Sequence, residues 1–218
     1  MTQGRVLVLA HRGYHAHHPE NSLSALLSAG SVADGFETDI RQTADGILVL
    51  SHDPAAPDGA LIAQETFRGL ADAFRVQGGL ARLQELLEGV NSALFADFEL
   101  KVAGLGPRVL KLAEPVFGER LRLSSFEREH LDGVPTELRW LIVHGASEVP
   151  ANLSGFAGLA ARADAYPLDL GDAELAAWQV TPQNTPSLVV DGVRLLISDE
   201  PAQVRLTLMN QRKAALDG

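Results

Sequence analysis

The stretch Arg5-Val6-Leu7-Val8-Leu9-Ala10, followed at once by His11-Arg12-Gly13, decides the fold. A continuous β-rich run without polar alternation is what a strand needs when both of its faces are covered, which is the condition of a parallel sheet. His11 then stands where the strand ends. In α/β folds ligands bind at the carboxyl ends of strands, because loops there are free to vary over a rigid scaffold. Three more polar clusters punctuate the apolar runs that follow: Pro19-Glu20-Asn21, Glu37-Thr38-Asp39 and Ser51-His52-Asp53.

Outward from the first strand, Asn21-Ser22 opens a helix whose Leu23, Leu26, Leu27 and Val32 keep helical spacing, with Asn21 a good candidate N-cap. Phe36 to Ile40 and Ile47 to Leu50 read as a strand and its antiparallel return around Asp45-Gly46. Residues 54 to 79 read as an irregular loop with one short helix, and Leu80 to Leu87 as an amphipathic helix ended by Gly89. Ala93 to Lys101 is a strand whose pleat sets Asp97, Glu99 and Lys101 on one face and Phe98 and Leu100 on the other. The second half repeats the rhythm: helices over 106–117, 126–132 and 152–162, strands over 120–124, 138–143, 175–181 and 193–198, and a closing helix over 201–216. About eight strand-helix steps predict a compact (β/α)₈ TIM barrel without a large insertion domain, shorter than the ~250 residues usual for that fold. An open doubly wound sheet is the alternative. No linker divides residues 1–218, so one domain is expected.

The 218 residues carry 18 Lys and Arg against 28 Asp and Glu, a net charge of −10, which argues against a nucleic-acid partner. With no Cys, disulfides are excluded. No charged segment with a long apolar core precedes the first strand, and no run approaches the ~18 apolar residues of a membrane span. A soluble, cytoplasmic protein with no stable membrane insertion is the expectation.

Glu37 and Asp39 lie two apart on one strand, so both carboxylates point the same way and repel. A hard cation relieves that repulsion, and an all-oxygen set suits Mg²⁺ or Ca²⁺ better than zinc. Glu99, on the next regular strand, offers a third ligand. An isolated Glu-x-Asp is more often a solvated edge; the company of His11, His52 and Glu99 at strand ends turns the reading towards a cation. The two histidines are suited to acid and base work near neutral pH. Arg12 and Lys101 supply cationic groups for a phosphate oxyanion beside the metal. Asp97 reads either as an orienting group or as a further carboxylate. His15-Ala16-His17-His18 starts too far past the strand to read as the His-x-His of metal-dependent amidohydrolases, and Trp140 reads as core.

His11-Arg12-Gly13, Pro19-Glu20-Asn21-Ser22, Glu37-Thr38-Asp39, Thr43-Ala44-Asp45-Gly46, Ser51-His52-Asp53-Pro54 and Glu99-Leu100-Lys101 resemble the ordered motifs of the glycerophosphodiester phosphodiesterase family. Ser125-Phe126, Trp178-Gln179-Val180 and Ile197-Ser198-Asp199-Glu200-Pro201 resemble its later, looser motifs. The resemblance implies a (β/α)₈ barrel with His11 and His52 as general acid and base, and a divalent cation on Glu37, Asp39 and Glu99. It also implies Arg12 and Lys101 on the phosphate, Glu20 and Asn21 beside the histidines, and Trp178 lining the pocket. The substrate it implies is a small phosphodiester, cleaved to glycerol phosphate and an alcohol through a cyclic phosphate. A sphingomyelinase-D-like lyase and a catalytically silent phosphodiester-binding barrel are the alternatives. Ala55 to Gly79 is shorter than the family's usual insertion and lacks its Leu-Asp-Arg-Thr-Thr stretch, and the family's Trp-Thr-Val-Asn has become Trp178-Gln179-Val180-Thr181.

Overall fold

Parallel strands with apolar side chains on both faces must be covered on both faces, and here a ring does this. The computed structural model describes residues 5–171 and 173–217. Its strands are β1 (Leu7–Ala10), β2 (Gly35–Gln42), β3 (Leu48–Leu50), β4 (Phe95–Leu100), β5 (Leu121–Ser125), β6 (Arg139–Val143), β7 (Gly158–Arg162), β8 (Glu174–Trp178) and β9 (Leu195–Ser198). The order is β1-β9-β8-β7-β6-β5-β4-β2-β3, and the additional pairing of β1 with β2 closes it. Eight strands are thus parallel in a barrel, and β3 lies antiparallel on the outer part of β2 through the Ile40↔Leu50 and Gln42↔Leu48 pairs. The α-helices are α1 (Leu23–Ser28), α2 (Leu83–Gly89), α3 (Gly106–Phe117), α4 (Thr185–Val190) and α5 (Pro201–Asp217). Among the described residues no helix is long and apolar enough to cross a membrane.

The barrel is short for its fold because the connections after β5, β6 and β7 use 3-10 turns where longer barrels use helices. The expected helix over 126–132 is one such turn, Arg128–Leu131. The expected helix over 152–162 is a correction of kind. Gly158–Arg162 is strand β7, paired in parallel with β6 through Trp140↔Gly158 and with β8 through Leu159↔Leu175. Its Leu-Ala-Ala core carries a helix-favouring alanine signal, but burial between two strands overrides so weak a preference. Gly158 is needed there, since a Cβ would stand 2.6 Å from both the Glu174 carbonyl oxygen and the Trp140 ring. Residues 54–79 contain two 3-10 turns, Ile62–Gln64 and Arg75–Gln77, packed through Ile62, Leu70 and Phe74 against Val49.

The pleat divides the strands into an inner and an outer set. Outside, Phe36, Phe98 and Phe117 pack with ring centroids 6.0–6.1 Å apart among Leu26, Ile40, Leu83 and Leu123, joining β2 and β4 to the helices. Inside, Leu7, Leu9, Trp140, Ile142, Ala160, Ala176, Leu195 and Ile197 form one cluster, so Trp140 is core as its sequence context predicts. The inner positions of β2 and β4 are polar instead, carrying Glu37, Asp39, Asp97 and Glu99, all buried.

Phe117 is wholly buried at the end of α3, away from the barrel mouth. Phe117→Ala is expected to cost about 3–5 kcal/mol of unfolding free energy. Denaturant melts with the exposed-site variant Leu112→Ala as reference check this, and equal midpoints for the two would contradict the packing described.

Candidate active site at the barrel mouth

The parallel register sets Glu37 opposite Asp97 and Asp39 opposite Glu99. The side chains of Glu37, Asp39 and Glu99 consequently converge, each offering a carboxylate oxygen within 4.8 Å of the others, and all three are buried. Lys101, one pleat beyond Glu99, places Nζ 3.0 Å from Asp39 Oδ1 and 2.5 Å from Glu99 Oε1. Glu37 Oε2 accepts the Arg12 backbone N–H at 3.1 Å, whereas Glu37 Oε1 is buried with no hydrogen-bond partner among the described residues. A buried carboxylate oxygen without a donor is costly, and a carboxylate that converges with two others calls for a cation. The oxygen-only donor set fits Mg²⁺ or Ca²⁺. Asp97 sits deeper, accepting from Ser124 Oγ at 2.6 Å; it is an orienting neighbour, not one of the converging three.

Electrostatics tells the same story. Burial, reinforced by Asp39, Glu99 and Asp97, holds the Glu37 carboxyl well above the usual carboxylate range. Burial and the adjacent Asp39 push Glu99 up to about 7 in spite of Lys101. Burial acts the same way on Asp39, but Lys101, the Asn21 hydrogen bond and Arg12 outweigh it and keep this carboxyl below its ordinary value. One ammonium and one guanidinium thus keep one of the three carboxylates fully ionised.

The turn after β1 supplies the supports. Arg12 and Asn21 both adopt left-handed backbone, with φ of 52° and 55°, conformations that persist only where the surroundings fix them. Arg12 Nη1 donates to Glu20 Oε1 at 2.8 Å while its Nε lies 3.4 Å from Asp39 Oδ2. Asn21 Nδ2 donates to Asp39 Oδ2 at 2.8 Å, and its Oδ1 accepts from Thr38 Oγ1 at 2.6 Å. Asn21 therefore does not cap α1, as its composition alone predicts; Ser22 does, accepting the Ala25 N–H at 3.2 Å.

His11 hydrogen-bonds through Nδ1 to Asp199 Oδ1 at 2.7 Å, leaving Nε2 3.8 Å from Glu37 Oε2. Asp199 follows β9, and the pairing of Ala10 with Ser198 at the barrel seam brings together residues 188 positions apart. The His11 hydrogen bond, with help from His15, holds the Asp199 carboxyl well below the usual range. His52 pairs through Nδ1 with Asp53 Oδ1 at 2.8 Å, and Arg41 fixes its carbonyl oxygen from Nε and Nη2 at 3.0 and 2.6 Å. On the far side of the mouth Phe126 stacks on His144 at 4.4 Å, and Trp178 meets both edge-on. The Trp178 N–H is taken by the Val143 carbonyl at 3.1 Å, so this residue offers the site a ring and no donor.

The candidate site residues His11, Arg12, Glu20, Asn21, Glu37, Asp39, His52, Glu99, Lys101 and Trp178 thus lie on the carboxyl-terminal parts of barrel strands or in the loops that follow them, whereas Trp140 and Asp97 lie deeper in the barrel. Sequence reasoning missed Asp199 as the partner of His11, although Ser198-Asp199-Glu200 follows the last strand. It also missed Arg41, two residues past Asp39 and on the same inner face, and His144 in the aromatic wall.

Residues 11–67 match the Glycerophosphoryl diester phosphodiesterase family. A glycerophosphodiester phosphodiesterase of Caldanaerobacter subterraneus subsp. tengcongensis is 46% identical over 50 residues, which are 22% of this chain and 21% of that relative's length. The glycerophosphodiester phosphodiesterase of Thermotoga maritima superposes with a TM-score of 0.75 at 23% identity, covering 91% of this chain and 96% of that one. An Oleispira antarctica phosphodiesterase in complex with the product sn-glycerol-3-phosphate has a TM-score of 0.75 at 22% identity, with 93% and 96% covered. At such identities these two structures speak for the fold alone.

The raised Glu99 and Glu37 groups make a sign-definite prediction for the cation-free protein. A carboxyl whose folded pKa is raised from 4.5 to about 7 contributes stability below its unfolded value and loses it as pH rises through the folded one. In chelator, Tm should fall as pH climbs from about 4.5 to about 7 and beyond, Glu99→Gln should flatten part of that fall, and excess Mg²⁺ or Ca²⁺ should raise Tm most at the alkaline end. A Tm indifferent to both cations at alkaline pH counts against a metal centre. The stretch from His11 to Phe67 is thus similar to the Glycerophosphoryl diester phosphodiesterase family, and the closed eight-stranded barrel that displays it has the fold of the Thermotoga maritima structure.

Proposed function

We propose that the chain is a metal-dependent phosphoric diester hydrolase that cleaves a glycerophosphodiester to glycerol phosphate and an alcohol. The observation that carries this reading is the convergence of the buried Glu37, Asp39 and Glu99, with one Glu37 oxygen left unpartnered and with His11, His52, Arg12 and Lys101 nearby. A divalent cation bound by those carboxylates supplies Lewis acidity to a phosphoryl oxygen and draws an anionic ester to an otherwise acidic centre.

This chain's residues do the rest. Arg12 and Lys101 hold the phosphate oxygens, kept charged by carboxylates that overcome the cost of their burial. Glu20 aims the Arg12 guanidinium, and Asn21 aims Asp39. One histidine takes the proton of the glycerol 2-hydroxyl, whose oxygen attacks phosphorus. The other gives a proton to the alcohol oxygen as its bond to phosphorus breaks, leaving a cyclic phosphate. Water then opens the ring with the two roles exchanged, and glycerol phosphate leaves. The Nδ1 bonds to Asp199 and Asp53 leave each Nε2 available for such transfers.

A cavity of about 720 Å³ adjoins His52, lined by Glu20, Pro54, Phe74 and Leu80 among others. Ala55, Ala56, Pro57, Phe74, Gln77 and Gly79 of the short 55–79 segment form part of its wall. A glycerol unit fills little of such a volume, so alcohols of different bulk should be turned over within one order of magnitude in kcat/KM. Sharp selection of one alcohol across a panel of glycerophosphodiesters counts against this.

Activity should vanish with chelator and return with Mg²⁺ or Ca²⁺, and full turnover in EDTA would remove the metal from the mechanism. Replacing either His11 or His52 by Ala should lower kcat by roughly 10²- to 10⁴-fold. With a nitrophenyl ester, whose departing oxygen needs little protonation, the variant lacking the acid should recover and the variant lacking the base should not. Equal losses for both variants on both esters would make the two histidines phosphate or metal binders.

A further inference from the structure

His15 belongs to the His15-Ala16-His17-His18 run, and the reaction gives it no part. Its Nε2 lies 3.0 Å from Asp199 Oδ1, the same oxygen that accepts from His11 Nδ1 at 2.7 Å. Among the described residues these two rings are the only side-chain partners of the Asp199 carboxylate, which is 55% exposed. A short, half-exposed carboxylate held by a single imidazole keeps rotamers that turn it into water, and the imidazole turns with it. Two donors reaching one oxygen from separate points define where that oxygen sits.

His15 arrives from a rigid support. Gly13 has a φ of 83°, and a Cβ there would stand 2.6 Å from the Ala25 carbonyl carbon, so only glycine lets the turn close on α1. The next residue, Tyr14, donates its N–H to the Ala25 carbonyl at 2.8 Å, and Asn21 donates to the Arg12 carbonyl at 3.0 Å. The turn is thus pinned on both sides of Gly13, and His15 follows directly after the second pin.

We propose that His15 is a positioning residue. Its Nε2–H donates to Asp199 Oδ1 and holds that carboxylate where it keeps His11 protonated on Nδ1, with Nε2 turned to the acidic centre. His15 acts through Asp199 alone, touching neither phosphate nor cation. The kinetic part of this inference rests on the proposed phosphodiester hydrolysis; the part concerning the His11 ring does not.

The test uses the full chain with Mg²⁺ or Ca²⁺ present and four variants: His15→Ala, His15→Gln, Asp199→Ala, and His15→Ala combined with Asp199→Ala. His15→Ala should lower kcat about 10-fold, the usual worth of a residue that orients a functional group, with KM and cation affinity unchanged. His15→Gln, which keeps a side-chain N–H of similar reach, should recover most of the loss. In the Asp199→Ala background the His15 change should cost nothing more, because its effect has lost its carrier. Losses that multiply, or a KM that rises while kcat holds, overturn the assignment, and the second would make His15 a substrate ligand. Side-chain ¹⁵N spectra of neutral histidine should show His11 as one tautomer in the wild type and in His15→Gln, and as a mixture in His15→Ala. A single unchanged tautomer in His15→Ala overturns the inference whether or not the ester is cleaved. A wild type that cleaves no glycerophosphodiester, yet shows the tautomer change, refutes the proposed reaction and leaves the His15 assignment standing.

Discussion

The mutual repulsion of three carboxylates buried on two neighbouring strands is the constraint on which the rest of this mouth depends. Asp39 and Glu99 are register partners, and Glu37 shares their inner face, so the sheet itself forces them together. Burying one unpaired carboxylate is already expensive, and three at this separation are tolerated only when cations and donors surround them or protons bind. The chain answers with Lys101 across Asp39 and Glu99, the Arg12 backbone N–H on Glu37, and the Asn21 amide on Asp39. Those donors fall short of a full set, as the orphan oxygen of Glu37 and the raised Glu99 show. The shortfall is itself chemical information. A centre in which every carboxylate had a protein partner would have no use for a metal ion.

The barrel can carry so polar a sector because its other inner sector is apolar. Leu7, Leu9, Trp140, Ile142 and Ile197 fill the side away from β2 and β4, and the phenylalanine cluster outside β2 and β4 anchors those two strands from behind. Rigidity is thereby supplied from outside the ring where the inside is given to chemistry. The 3-10 turns after β6 and β7 stand in for helices there because Val149, Leu153, Phe156, Leu168 and Leu170 from the connecting segments pack on the outward Leu141, Val143, Leu159 and Ala161.

How much of this the sequence displays depends on the range of the interaction. The pleat of β4 and the spacing of Glu37 and Asp39 are local, and reading them places the acidic centre correctly. The helix expected over 152–162 fails because alanine favours helices in isolation, while the decision is made by neighbours at Trp140 and Leu175 that no local pattern announces. Asn21 illustrates a subtler limit. Its position before a helix is legible, but the competition for its side chain is settled by Asp39 on another strand, and Ser22 takes over the cap. The pairing of His11 with Asp199 is invisible for the same reason, since it exists only once the first and last strands join.

That seam makes the histidine's geometry a product of the whole fold. Ala10 pairs with Ser198, the His11 N–H donates to the Ser198 carbonyl at 3.0 Å, and Ser198 Oγ donates to the Val180 carbonyl at 2.5 Å. Among the described residues the three non-glycine residues with left-handed backbone, Arg12, Asn21 and Gln179, all sit in turns that follow barrel strands or frame this mouth. Each such conformation costs of order 1–3 kcal/mol, and the closed ring over-determines it. A barrel in which β1 and β9 are unpaired lacks the His11–Asp199 pair. Competence of the mouth is therefore coupled to complete closure, because the acidic cluster needs only β2 beside β4, whereas the His11–Asp199 pair needs the first and last strands joined.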